Sequence, residues 1–230
     1  LLEATVALVE ADDARGGTQT GIFARMWASD VVFHRGDAAG ALAVREATMP
    51  SVRDIGDPQG LLPGLAGLVE GRWAVGDPGT DEAIDEFIAA GLDNPGHIPA
   101  YLAQVTDPMI GTGRATDLER LVDAARWGEA PWLDAHLGGV RGLLAEAAGD
   151  LEVAVELLRP VWEVGDPLHQ RFWSTTARVD AARCLLGLGR ADEAHALLDE
   201  AGPTAEWMGA TRLLAQIAEL RSDGAAAARA

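Results

Sequence analysis

Five histidines, several adjacent carboxylate pairs, three Gly-Asp-Pro triplets and one cysteine are the groups in this 230-residue sequence that could do chemistry. His34, His97, His136, His169 and His195 lie far apart, and none forms a His-x3-His or His-Glu-x2-His pair. Such a pair places two metal ligands on one helix face. A metal here would need ligands converging from distant segments, so no metal or other cofactor is expected. The triplets at Gly56, Gly76 and Gly165, and the stretch Gly-Thr-Gly-Arg-Ala-Thr-Asp over 111–117, invite a nucleotide reading. A phosphate loop needs Gly-x4-Gly-Lys-Ser/Thr, and the chain has no lysine. A dinucleotide fingerprint needs a preceding strand and a third glycine where Thr116 stands. No serine lies in a Gly-x-Ser-x-Gly elbow. Asp81-Glu82 and Asp192-Glu193 fall at helix starts, where the helix dipole favours negative charge without catalysis. Asp12-Asp13 is another such pair. No catalytic residue is assigned.

Cys184 is the only cysteine, which excludes an intrachain disulfide. Its Ala- and Leu-rich surroundings predict a buried, inert thiol. Trp162 continues the apolar stripe of its helix and belongs to the core. Trp27, Trp127, Trp132, Trp173 and Trp207 are expected to pack between hairpins or to line a groove.

Net charge is −18 with a pI near 4.5. A duplex or an anionic membrane would repel such a chain, so neither is expected as a partner. The charge is read first as a solubility device, and second as an acidic face for a basic partner. No signal peptide and no apolar span of about 20 residues is visible. The chain opens at Leu1 without Met, and the expectation is a cytoplasmic fragment of a longer protein.

Ala, Leu and Val dominate an apolar fraction of 48%. Alternating β-branched runs are absent, so helices must position the groups above. Residues 1–12 read as the second helix of a truncated hairpin. Thr18 or Thr20 opens a helix through about Phe33, and Asp37 opens another that Pro50 stops. Asp57-Pro58, Asp77-Pro78 and Asp166-Pro167 each read as a capping Asp before Pro at the first helical position. Helices are predicted over 58–72, 79–90, 97–110, 115–127, 131–148, 150–164, 167–188, 190–201 and 203–221. Asp107-Pro108 should kink or end one of them. The expectation is one domain over 1–221 and a disordered Ala-rich tail over 222–230.

A register runs through these helices. A Gly is followed at the fifth position by a small or apolar residue and then by an apolar pair. It reads Gly189, Ala194, Leu197-Leu198; Gly149, Ala154, Leu157-Leu158; and Gly113, Leu118, Leu121-Val122. A weaker copy runs from Gly36 through Ala41 to Val44, and one without the Gly passes through Ala83 and Phe87. Copies recur about every 35–42 residues, the period of a stacked helical-hairpin array.

The stretch LGLGRADEAHALL (186–198) resembles the tetratricopeptide repeat, with Ala182 and Leu185 at the core positions of its first helix. The earlier copies lack the Trp-x2-Leu-Gly-x2-Tyr signature and the closing Pro. PAYLAQVTDPMIGTGRATDLERLVDAA (99–125) and AEWMGATRLLAQIAEL (205–220) resemble the repeat regions of large bacterial signalling ATPases, namely LuxR-type, MalT-like regulators and cyclase-linked relatives. The resemblance implies an all-α, tetratricopeptide-like α-solenoid of about six antiparallel hairpins in a right-handed superhelix. It implies a non-catalytic regulatory or protein-interaction module of a larger regulator. A stand-alone adaptor or oligomerisation scaffold is the alternative, and an enzyme built on helical hairpins a remote one. In tetratricopeptide arrays the first helix of each hairpin lines the concave side, which the Gly register maps to Arg25, Asp30, His34, His136 and Arg183. A protein partner or a small-molecule effector is the expected ligand of that face, and self-association is left open.

Overall fold

Among the described residues, seven glycines hold left-handed φ between 65° and 99°: Gly36, Gly56, Gly76, Gly113, Gly149, Gly189 and Gly209. Only glycine adopts this conformation without steric cost, which is why it ends helices. Four of the seven are the register glycines. The computed structural model describes residues 19–126 and 130–227, all α-helical apart from turns and one 3-10 turn. The helices are α1 (Gln19–His34), α2 (Ala38–Ile55), α3 (Pro58–Val75), α4 (Thr80–Asp93), α5 (Leu102–Gly111), α6 (Ala115–Ala124), α7 (Pro131–Ala148), α8 (Leu151–Gly165), α9 (Arg171–Gly187), α10 (Ala191–Met208) and α11 (Thr211–Ala227). The expected helix over 1–12 and Trp127 lie outside the described residues.

The described residues gather into two compact units, 19–126 and 130–227. In the first, α1–α2, α2–α3, α3–α4 and α5–α6 pack as antiparallel neighbours, and α3 also touches α1 and α5. In the second, each helix from α7 to α11 packs on the next, while α9 also touches α7 and α11. The odd-numbered helices within a unit therefore form one row. The register positions supply the core between rows: Ala41, Leu118, Ala154 and Ala194 are buried five residues after their glycines. Val122, Leu158 and Leu198 are buried four residues further on.

Proline behaves differently from expectation. Pro50 does not stop α2, which continues to Ile55 and ends where left-handed Gly56 donates its N–H to Val52 O. Pro203 does not separate two helices but sits inside α10, because Ala201, Gly202 and Ala205 on either side of it are buried in the core of the second unit. Helix α5 runs through Asp107-Pro108 after a 3-10 turn at Ile98–Ala100. A helix-interior proline loses about 3 kcal/mol, and burial of Leu102, Val105, Thr106, Pro108 and Met109 offsets it. Asp57 caps α3 as expected, accepting from Gln59 N–H at 2.9 Å. Asp77 instead closes a turn with Gly79, and α4 starts at Thr80. Asp166 is not an N-cap: it closes the C-terminal end of α8, donating its N–H to Trp162 O, while α9 begins only at Arg171 and the Asp166 carboxylate binds Arg178. The tail expected from Ser222 is helical through Ala227, since alanine is the strongest helix former.

Helix α3 is the centre of the first unit and carries four buried glycines on the side facing α1 and α2. A Cβ at Gly60 would meet Phe23 at an ordinary 3.9 Å, one at Gly64 would press the flexible Met49 sulfur at 2.9 Å, and one at Gly67 would overlap the Arg45 guanidinium. Alanine gains about 1 kcal/mol over glycine in a helix. Gly60→Ala should therefore stabilise by up to that amount, Gly64→Ala should be near neutral, and Gly67→Ala should lose about 1–3 kcal/mol through overpacking. Urea unfolding of the three variants checks the order, and a stabilised Gly67→Ala would refute it.

Candidate functional site

All five residues mapped by the register lie on odd-numbered helices. Arg25, Asp30 and His34 are half-buried on α1; His136 and Arg183 belong to the second unit, on α7 and α9. Asp30 is the one around which a network assembles. Nine positions after its glycine, where the other copies bury Val122, Leu158 and Leu198, the Gly36 copy carries Arg45. The Arg45 side chain is 3% exposed and Asp30 35% exposed. Arg45 Nη2 donates to Asp30 Oδ1, and Nη1 donates to Pro63 O at 3.1 Å. Gly67 leaves the room the guanidinium fills. Gln104 Nε2 on α5 donates to Glu70 Oε2 on α3 at 2.8 Å and to Asp30 Oδ1 at 3.3 Å. One polar network thus ties four helices together. Burial raises the Asp30 carboxyl above its usual range, against the opposing pull of Arg45. Arg45, Glu70 and Gln104 escape a reading that follows the weak copy only to Val44; counting nine residues from Gly36 is the signal that finds Arg45.

In the second unit His136 is 6% exposed, between Trp132 at 5.6 Å and Trp173 at 5.0 Å, with both indoles edge-on. It is therefore enclosed by aromatic rings, and this burial pushes its pKa down to about 4. Phe172 extends the stack at 5.2 Å from Trp173. The adjoining Arg171 lies 4.7 Å above Trp207, which is 71% exposed. Arg178 lies 5.6 Å over Trp162 and bridges Asp166 and Glu200 at 2.5 and 3.0 Å. Trp162 and Trp173 are partly buried against the core of the second unit, Trp132 is half-buried against His136 of its own helix, and Trp27 and Trp207 are exposed. Arg183 makes a two-pronged pair with Glu146 on α7 at 2.6 and 2.7 Å and a further one with Asp180 at 3.1 Å, so it braces α9 against α7.

Cys184, 1% exposed, sits beside that brace. Burial first, and the Glu146 charge second, push its thiol pKa up to about 12. The thiolate is the reactive form. At pH 8 a thiol reagent should label the native protein only as fast as it opens, and rapidly in denaturant; fast labelling in native buffer would contradict this.

Among the described residues no three His, Cys, Asp or Glu side chains converge as a metal site requires, and no helix is long and apolar enough to cross a membrane. The two arrangements can hold and orient: the first presents carboxylates backed by a buried cation, the second presents aromatic and guanidinium surfaces. Compared with known protein families and with characterised proteins, the sequence matches none.

Proposed function

We propose that this chain is a tetratricopeptide-like repeat module, a right-handed α-solenoid that binds a protein partner or a small effector along the first helices of its hairpins. In this reading it is the sensing region of a larger signalling or transcriptional regulator of the LuxR-type, MalT-like kind. The observation that carries the reading is the recurrence of one register. A left-handed glycine at Gly36, Gly113, Gly149 and Gly189 is followed each time by a buried small or apolar residue. Such arrays use their repeated faces for recognition. The exposed Arg171–Trp207 stack adds residue types that dominate binding hot spots.

A thermal-shift screen against metabolites and peptides tests the reading, since a specific ligand raises apparent stability by mass action. Amide NMR shifts of any hit should concentrate on α1, α3 and α5 or on α7, α9 and α11. A hit confined to the even-numbered helices, or turnover of a compound in the screen, would contradict it.

A further inference from the structure

Charge on the helices of the second unit is divided by row. The odd-numbered α7, α9 and α11 carry six arginines and five carboxylates, whereas the even-numbered α8 and α10 carry one arginine and eight carboxylates. At physiological salt a charge is felt over about 8 Å, so a partner meets the row it touches rather than the net charge of the chain. The odd row is the side that does not repel an acidic partner. Three arginines there are already held by the chain's own carboxylates: Arg178 by Asp166 and Glu200, Arg183 by Glu146 and Asp180, and Arg221 by Asp199. Arg171 differs. It is exposed at the first position of α9, and among the described residues its guanidinium meets the Trp207 ring at 4.7 Å and no carboxylate. This is so although acidic residues outnumber arginines 36 to 18 in the chain. Helix α9 also opens with no side-chain cap and no acidic residue in its first turn, so its dipole adds to the Arg171 charge.

A guanidinium that rests on a ring keeps its N–H edges free to grip a carboxylate through two parallel bonds. Trp207 is 71% exposed, so much of the indole is open to a second ring. Leu168, three residues before Arg171, is 51% exposed and adds apolar surface in the preceding loop. Small-molecule sites are enclosed clefts; a stack this open suits a partner chain instead. We propose that Arg171 and Trp207 form a docking site for an acidic, aromatic segment of a partner protein, with Arg171 taking a carboxylate and Trp207 a ring. The inference deepens the binding reading above and rests on it.

The test is a set of short synthetic peptides that pair Asp or Glu with Phe, Tyr or Trp at every spacing from adjacent to one helical turn apart, titrated into the whole chain and followed by amide NMR. Two control sets carry Lys in place of the acid or Ala in place of the ring. The best acidic, aromatic peptide should shift the signals of Arg171 and Trp207 and bind more tightly than either of its controls. Arg171→Ala and Trp207→Ala should each weaken it by about tenfold or more. Both side chains are exposed, so both variants should fold. Arg141→Ala removes the same charge from an exposed position on α7 and should change binding by less than about twofold. Tighter binding of the Lys peptides, no binding by any acidic peptide at about 1 mM, or binding on α7, α9 and α11 that survives Arg171→Ala would overturn this assignment. Binding confined to α8 and to the part of α10 before Trp207 would instead defeat the binding reading on which it rests.

Discussion

Asp30→Ala is expected to be among the most damaging single substitutions in the first unit, lowering stability by about 3–5 kcal/mol. The asymmetry of the pair is the reason. Arg45 is 3% exposed and cannot shed its charge, whereas Asp30 is 35% exposed and titratable. Removing Asp30 leaves a guanidinium enclosed by α1, α2 and α3 with Pro63 O as its remaining hydrogen-bond partner among those described. Removing Arg45 instead takes the buried charge away with the side chain. Arg45→Met keeps much of the volume beside Gly67, and the Asp30 carboxylate can turn to water. Arg45→Met should therefore lose less than half of what Asp30→Ala loses. Urea unfolding at pH 7 measures both, and equal losses would contradict the asymmetry. The magnitude matters because a domain's whole stability is about 5–15 kcal/mol.

The second large effect is a pH dependence in the other unit. His136 titrates near 4 in the native state against 6.5 ordinarily, because burial disfavours the imidazolium. Above 6.5 it is neutral in both states and contributes nothing to pH dependence. Between 6.5 and 4 the unfolded chain binds the proton and the native state does not, so stability falls as pH falls. The loss accumulates to about 3 kcal/mol and levels off below 4, where the native state also protonates. The raised Asp30 carboxyl works in the opposite direction, gaining stability as pH falls through its own range, so the comparison must be with a variant at His136. His136→Phe keeps a ring between Trp132 and Trp173 and removes the titration. Its stability between pH 6.5 and 4 should be flatter than that of the parent by about that amount. An unchanged slope would mean that His136 is protonated in the native state.

The sequence makes the helices and their glycine ends legible, because a left-handed position leaves few residues to choose from. Gly36, Gly113, Gly149 and Gly189 could be placed by spacing alone, and the buried Ala154 and Ala194 followed. Local rules failed where packing outweighs them. Pro50, Pro108 and Pro203 each lie inside a helix whose flanking residues are buried, so tertiary contact offset the lost backbone bond. Asp166 looked like an N-cap but its carboxylate serves Arg178, a partner twelve residues on that no turn rule anticipates.

The candidate site was half legible for the same reason. The Gly register points to Asp30. Its partners Arg45 and Gln104 lie 15 and 74 residues away, and only the fold brings them together. The Gly register points to His136, but the rings of Trp132 and Trp173 that enclose it lie within the fold, so its burial is not legible in the sequence.

Arg45 is the one charged residue at the ninth position of the four Gly-led copies, where the others bury Val122, Leu158 and Leu198, and Asp30 holds it in place. A double-mutant cycle with Asp30→Ala, Arg45→Met and the two combined, read by urea unfolding, tests this most directly. The combined variant should be more stable than Asp30→Ala alone, with a coupling energy of about 2 kcal/mol or more. Losses that add within about 0.5 kcal/mol would show that the buried arginine does not depend on Asp30.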